Sequence, residues 1–167
     1  MLDTPVSPQD TPRDGAAVPF PPPVIPLLTV LLGAGLRWLW PVDVGFEISA
    51  PLRYWLGGGM VIGAVLGLGL WAVVLFRRSG QSELPWKPTP TIIDYGPYQF
   101  TRNPMYLQMV IACIGIAVML SNVWILLLMP VCMWLLHKVA IEPEEAYLER
   151  KFGEDYLAYK RRVRRWI

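Results

Sequence analysis

The chain has 167 residues, of which 54% are apolar and only 17% charged, and its net charge is +2. A soluble domain carries about 25% charged residues, so this balance excludes an ordinary water-soluble protein and points to a membrane class. Cys113 and Cys132 lie in uncharged apolar runs with no metal or disulfide spacing around them, so neither a metal centre nor a disulfide framework is expected.

Residues 1–23 contain seven prolines and no periodic apolar pattern. Such a segment cannot bury enough surface to fold and reads as a disordered tail. It lacks the basic start of a signal peptide, so it should stay on the mature protein. Residues 24–167 read as one compact membrane domain.

A first span is expected over about 24–40, with Pro26 in its first turn and Arg37, Trp38 and Trp40 at its interfacial end. A second runs over about 54–76, uncharged between Arg53 and Arg77-Arg78, and is long enough for a hydrocarbon core of about 30 Å. In it Gly59, Gly63 and Gly67 share one face, and that spacing predicts close packing against another helix. Residues 105–136 carry no charge and as one helix would span roughly 48 Å, too much for one crossing. Ser121-Asn122 supplies turn chemistry at the midpoint, so a hairpin of spans at about 105–120 and 123–141 is expected rather than a single helix kinked at Pro130. The fold class is therefore all-α: a polytopic membrane protein with about four transmembrane helices and a C-terminal amphipathic helix.

Four spans place the tail, the 77–104 loop and the C-terminal segment on one side. Thirteen of the fifteen Lys and Arg residues fall there, all but Arg37 and Arg53. The positive-inside rule makes that side, and with it both termini, cytoplasmic. From about 143 to 166, Leu148, Phe152, Tyr156, Tyr159, Val163 and Trp166 recur every three or four residues, the apolar face of an amphipathic helix interrupted at Gly153. Lys160, Arg161, Arg162, Arg164 and Arg165 crowd its end and suit anionic lipid headgroups. Nucleic acid is not expected, because no basic domain extends beyond this short segment.

Two constellations stand out from the lipid-solvating background. One is Gly96-Pro97-Tyr98 followed by Arg102-Asn103-Pro104-Met105-Tyr106, at the entrance to the third span. The other is Glu144-Glu145 with Leu148, Phe152-Gly153, Tyr156 and Tyr159, just beyond the fourth. Taken alone, each has a mundane explanation: the prolines shape a loop and start a helix, and the acids favour a helix N-terminus. Paired carboxylates so near a bilayer are costly unless solvated or paired with cations.

The two together, GPYxxxRNPMY and then EExxLxxxFGxxYxxY across an apolar hairpin, resemble the isoprenylcysteine carboxyl methyltransferase and phospholipid methyltransferase group of membrane enzymes. The resemblance covers roughly residues 90–165. It implies an S-adenosylmethionine-dependent methyltransferase acting at the cytosolic face on a lipophilic or lipid-anchored substrate. Carried over position by position, it assigns cofactor contacts to Tyr98, Asn103, Pro104, Met105, Tyr106 and Glu144, with Ile92 and Ile93 where the family wraps the adenine. Arg102 and Glu145 complete the motif as catalytic candidates, and no metal is implied. Two positions depart from the family: Asn103 stands in place of a His, and Ala140 where prenylcysteine enzymes have an Arg, with His137 and Lys138 one turn earlier. The acceptor therefore stays open between a lipid amine, a prenyl-type carboxylate and a thiol. A sterol-reductase-like NADPH enzyme and a non-catalytic protein retaining the fold are the alternatives.

Overall fold

The structure, a computed structural model, describes residues 14–42, 48–82 and 84–167. Among them every regular element is helical: α1 Val24–Leu39, α2 Ala50–Arg78, α3 Pro104–Met119, α4 Val123–Phe152 and α5 Glu154–Arg162, with a short 3₁₀ turn at Gly96–Gln99. Two of these, α2 and α4, are long and apolar enough to cross a membrane, and α1 and α3 are shorter apolar helices. Helix α2 starts earlier than expected, at Ala50, because Pro51 sits in its first turn, where a missing N–H leaves no bond unmade.

The expected hairpin is present. Helix α3 ends at Met119, Ser121 takes a positive φ of 45°, and Asn122 caps α4 by accepting from the Trp124 and Ile125 amides at 3.0 and 3.4 Å. The Asn122 amide nitrogen also donates to the Gly33 carbonyl at 3.0 Å, which ties the turn to α1. Arg37 donates to the carbonyls of Leu120 and Ser121, and Arg53 reaches the Ser121 hydroxyl at 2.9 Å. The two arginines missing from the basic side thus meet at this end of the bundle. Large apolar side chains point outward along the helices, and Trp38 and Trp55 are 84% and 81% exposed. Such a surface is stable against lipid rather than water.

Helix packing corrects one expectation. A Cβ added at Gly59, Gly63 or Gly67 would meet nothing, so that face is open. Helix α2 instead turns Gly57, Ala64 and Ala72 inward, and a Cβ at Gly57 would strike the Gly115 carbonyl and Met119 of α3. Gly115 is equally blocked by the Gly57 carbonyl. The close approach that small residues permit is made two positions away from the regular stripe, because glycine must face glycine on the partner helix. Gly57→Leu should therefore cost about 3 kcal/mol by overpacking, whereas Gly63→Leu should stay within about 0.5 kcal/mol of the wild type. Thermal melting of both variants in detergent checks this, and equal losses would contradict the packing.

Helix α4 also departs from the expected boundary. Instead of a span followed by a separate amphipathic helix, one helix runs through Pro143 to Phe152. Proline at 143 cannot donate to the carbonyl four residues back, and its ring crowds that turn. The chain accommodates it with a widened π turn over His137–Ile141, in which the Glu142 amide reaches back to the His137 carbonyl. The helix breaks at Gly153, whose φ is 53°, and α5 ends at Arg162 rather than 166, with Val163 extended.

Residues 1–13 of the expected disordered tail lie outside the described residues. The rest of it, 14–23, is packed: Ala16 and Val18 are buried in the core with Tyr147, and the Ala16 amide donates to the Pro85 carbonyl at 2.8 Å.

Candidate active site

At the end of the bundle opposite the Ser121 turn, the 81–103 loop, the start of α3, the far half of α4 and α5 enclose a cavity of about 310 Å³. Ligand sites range over about 300–1,000 Å³, so it has room for a small molecule. All ten candidates from the sequence line it: Ile92, Ile93, Tyr98, Arg102, Asn103, Pro104, Met105, Tyr106, Glu144 and Glu145.

The two carboxylates have different surroundings. Glu145 is buried and neutralised. It accepts from Arg102 at 2.9 Å and takes a two-pronged contact from Arg165, at 2.9 and 2.7 Å, with Lys160 at 3.7 Å. Burial acts to raise its carboxyl, but the Arg165 hydrogen bonds and the charges of Arg102, Arg165 and Lys160 outweigh it and hold the group below the ordinary carboxylate range. Glu144 lies beyond the apolar stretch of α4, which ends at Ile141. Tyr106 donates to it, and among the described residues no cation pairs with it. Burial pushes its carboxyl up, the Tyr106 hydrogen bond pulls it back and the Glu145 charge adds to the rise, leaving it at about 7. One acid is therefore locked by cations, and its neighbour is poised at the cavity near neutrality.

The loop before α3 is fixed largely by the C-terminal segment. Arg102 donates to the Lys160 carbonyl at 3.0 Å and its amide to the Arg164 carbonyl at 2.9 Å. The Arg165 carbonyl accepts from Thr101 at 3.1 Å and from the Asn103 side chain at 2.9 Å. The Asn103 amide group is thus committed to holding the loop, although the residue still borders the cavity. Pro104 starts α3, and Tyr98 packs its ring on Phe76, with centroids 5.7 Å apart, while its carbonyl accepts from Tyr159 at 2.8 Å. The Arg102 Nε remains buried with no partner.

The basic cluster is accordingly less available to headgroups than its sequence implies. Arg165 and Lys160 bind Glu145, Lys160 also binds Glu149, and Arg162 pairs with Asp94 at 2.6 Å. The apolar face of α5 is also turned inward: Tyr156, Tyr159 and Val163 pack with Ile92, Leu148 and Phe152.

Sequence reasoning missed several cavity residues. Pro21, Pro22 and Pro23 form one wall, Gln81 donates to the Thr91 carbonyl at 2.6 Å to shape the loop, and Tyr147 accepts from the Thr89 amide at 3.0 Å. The available signal for Tyr147 was its place three residues after Glu144, which puts both on one helical face.

The sequence profile of the family described as phospholipid methyltransferase matches residues 52–155. The chain is 31% identical over 115 residues to the protein-S-isoprenylcysteine O-methyltransferase of Rattus norvegicus, covering 65% of this chain and 40% of that protein. It is 32% identical over 72 residues to the enzyme of that name from Schizosaccharomyces pombe, covering 43% and 30%. An uncharacterised protein of Haemophilus influenzae is matched along 100% of its length, at 35% identity over 63 residues and 38% of this chain. The chain spans less than half the length of the isoprenylcysteine O-methyltransferases it matches. No solved structure matches it. With the profile aligned over more than half of its length, including the 96–106 loop and both carboxylates, the chain belongs to the phospholipid methyltransferase family.

Proposed function

We propose that this protein is an S-adenosylmethionine-dependent methyltransferase, multi-pass with four spans and both termini cytoplasmic, acting at the cytosolic membrane face on a lipophilic acceptor. The observation that carries the reading is Glu144: a carboxylate without a cationic partner among the described residues, set in a cavity beside apolar Ile92, Ile93 and Leu148. A methyl donor with a sulfonium, an ammonium and a ribose diol supplies the groups that such a carboxylate lacks, and the apolar wall suits an adenine.

The cofactor would supply an electrophilic methyl group. The chain's part is to hold the reactants in line and keep water out, which is where most of the rate advantage of such a displacement arises. Tyr106 and Glu144 would orient the donor, and Tyr98, Pro104 and Met105 would shape its bed. Arg102 and Glu145, assigned to catalysis by the motif, would act by holding the loop and the C-terminal segment together. The acceptor class includes lipid amines, prenyl-type carboxylates and thiols. No observation favours a reductase: Arg102 is the one cation in the described lining, and its terminal nitrogens are spent on Glu145 and the Lys160 carbonyl rather than offered to a nucleotide phosphate.

The test is binding of S-adenosylmethionine to detergent-purified protein across pH. Only ionised Glu144 attracts a cationic ligand, so affinity should fall as pH drops through about 7. At pH 6 it should be about tenfold weaker than on the plateau above pH 8, following the ionised fraction. A flat profile between pH 5.5 and 8 would remove Glu144 from the donor site, and no binding at any pH would end the proposal.

A further inference from the structure

The segment before α1 runs beside the cavity and is fastened at two points. On one side, the Ala16 amide bonds the Pro85 carbonyl at 2.8 Å, and Gly15 lies so close to Trp86 that a Cβ there would collide with its backbone. On the other, Asp14 accepts from Lys151 at 2.7 and 2.9 Å and from the Tyr147 hydroxyl at 2.9 Å. That hydroxyl also takes the Thr89 amide at 3.0 Å, so the N-terminal segment, the loop and α4 converge on one phenol oxygen. Between these anchors and α1, Pro21, Pro22 and Pro23 form part of the cavity wall.

We propose that residues 14–23 are a lid over this cavity, with Asp14 and Tyr147 as the positioning residues that latch it shut. The fastening is strong enough to define a wall and weak enough to release. Asp14 is 56% exposed, an ion pair in such a position adds little, and Ala16 and Val18 bury only small side chains. A polar ligand reaching this cavity from water needs such an opening, and a closed lid keeps water out once the ligand is inside. The ligand's identity as a methyl donor rests on the function proposed above, but the lid does not.

A cysteine placed at Ser82, in the cavity lining, reports opening through its rate of reaction with fluorescein maleimide. The experiment uses the full chain in detergent with no donor present. Native Cys113, buried among the helices, serves as an internal control. Adding Asp14→Asn should speed labelling at position 82 up to about fivefold, the limit for an exposed ion pair. Tyr147→Phe should speed it about tenfold, because all of its bonds are lost at once, while Cys113 stays slow in both. Raised salt should act like Asp14→Asn. Rates at position 82 that match the unlatched variants, or a parallel rise at Cys113 that betrays general loosening, would overturn the lid. Slower labelling on adding S-adenosylhomocysteine bears on the donor alone: faster opening in the variants with no protection by that ligand would keep the lid and sink the methyltransferase reading.

Discussion

Glu144→Gln is expected to weaken S-adenosylmethionine binding by roughly 10- to 150-fold at pH 8, with little change in the unliganded melting temperature. The substitution keeps the size of the side chain and a hydrogen-bonding partner for Tyr106 while removing the charge. A hydrogen bond to a charged group contributes about 1.5–3 kcal/mol, and that range converts to the stated loss of affinity. Stability should hold or rise slightly, because the burial that lifts this carboxyl to about 7 makes its charged form unfavourable at pH 8. Isothermal titration of both proteins with the same ligand decides the matter. Equal affinities would show that Glu144 only dresses a helix turn, and a collapse in melting temperature would show it to be structural.

Glu145 should respond in the opposite way. Its removal in Glu145→Ala leaves Arg102, whose side chain is 7% exposed, as an uncompensated buried charge and frees Arg165 from its two-pronged contact. Breaking one partner of a buried pair costs about 3–5 kcal/mol, a large share of the stability of any domain. Chemical denaturation of the purified protein should therefore show most of the damage in folding. The double variant Arg102→Met with Glu145→Met should regain much of the loss, since removing both charges also removes the cost of burying them. A Glu145→Ala protein that melts like the wild type but has lost methyl transfer would return Glu145 to the catalytic role the motif assigns.

Apolar run length and turn chemistry carried most of the fold. The hairpin at Ser121-Asn122 was legible because an uncharged run of that length cannot be one crossing and Asn122 is a good cap. The cavity was legible through its two motifs, whose candidate residues meet in one place with Ile92 and Ile93. The features that escaped are those decided by a second segment. The Gly59, Gly63 and Gly67 periodicity is real, but only Gly115 on α3 determines which face of α2 is used. Asn103 sits in a motif that points to a ligand, yet its amide is taken by a carbonyl 62 residues away. Composition made residues 14–23 look incapable of folding, which holds for the segment alone. It is ordered by Pro85, Trp86 and Lys151, and the small apolar Ala16 and Val18 were its only local sign.

The widened turn at His137–Ile141 has a consequence for how this sequence can vary. Ile125, Met129, Cys132 and Leu136 mark the buried stripe of α4 at intervals of three and four. Continued without interruption, that stripe would arrive near position 143, and a proline would face the cavity. The π turn holds one residue more than an α turn, which delays the phase by about 100° and brings Glu144 round instead. Deleting a single codon between 137 and 141 would remove that extra residue, let the helix close into ordinary α turns and leave both carboxylates on the face they now occupy. Relatives that align across this stretch with a one-residue gap should therefore be read as proteins with a regular helix here and the same carboxylates facing the cavity.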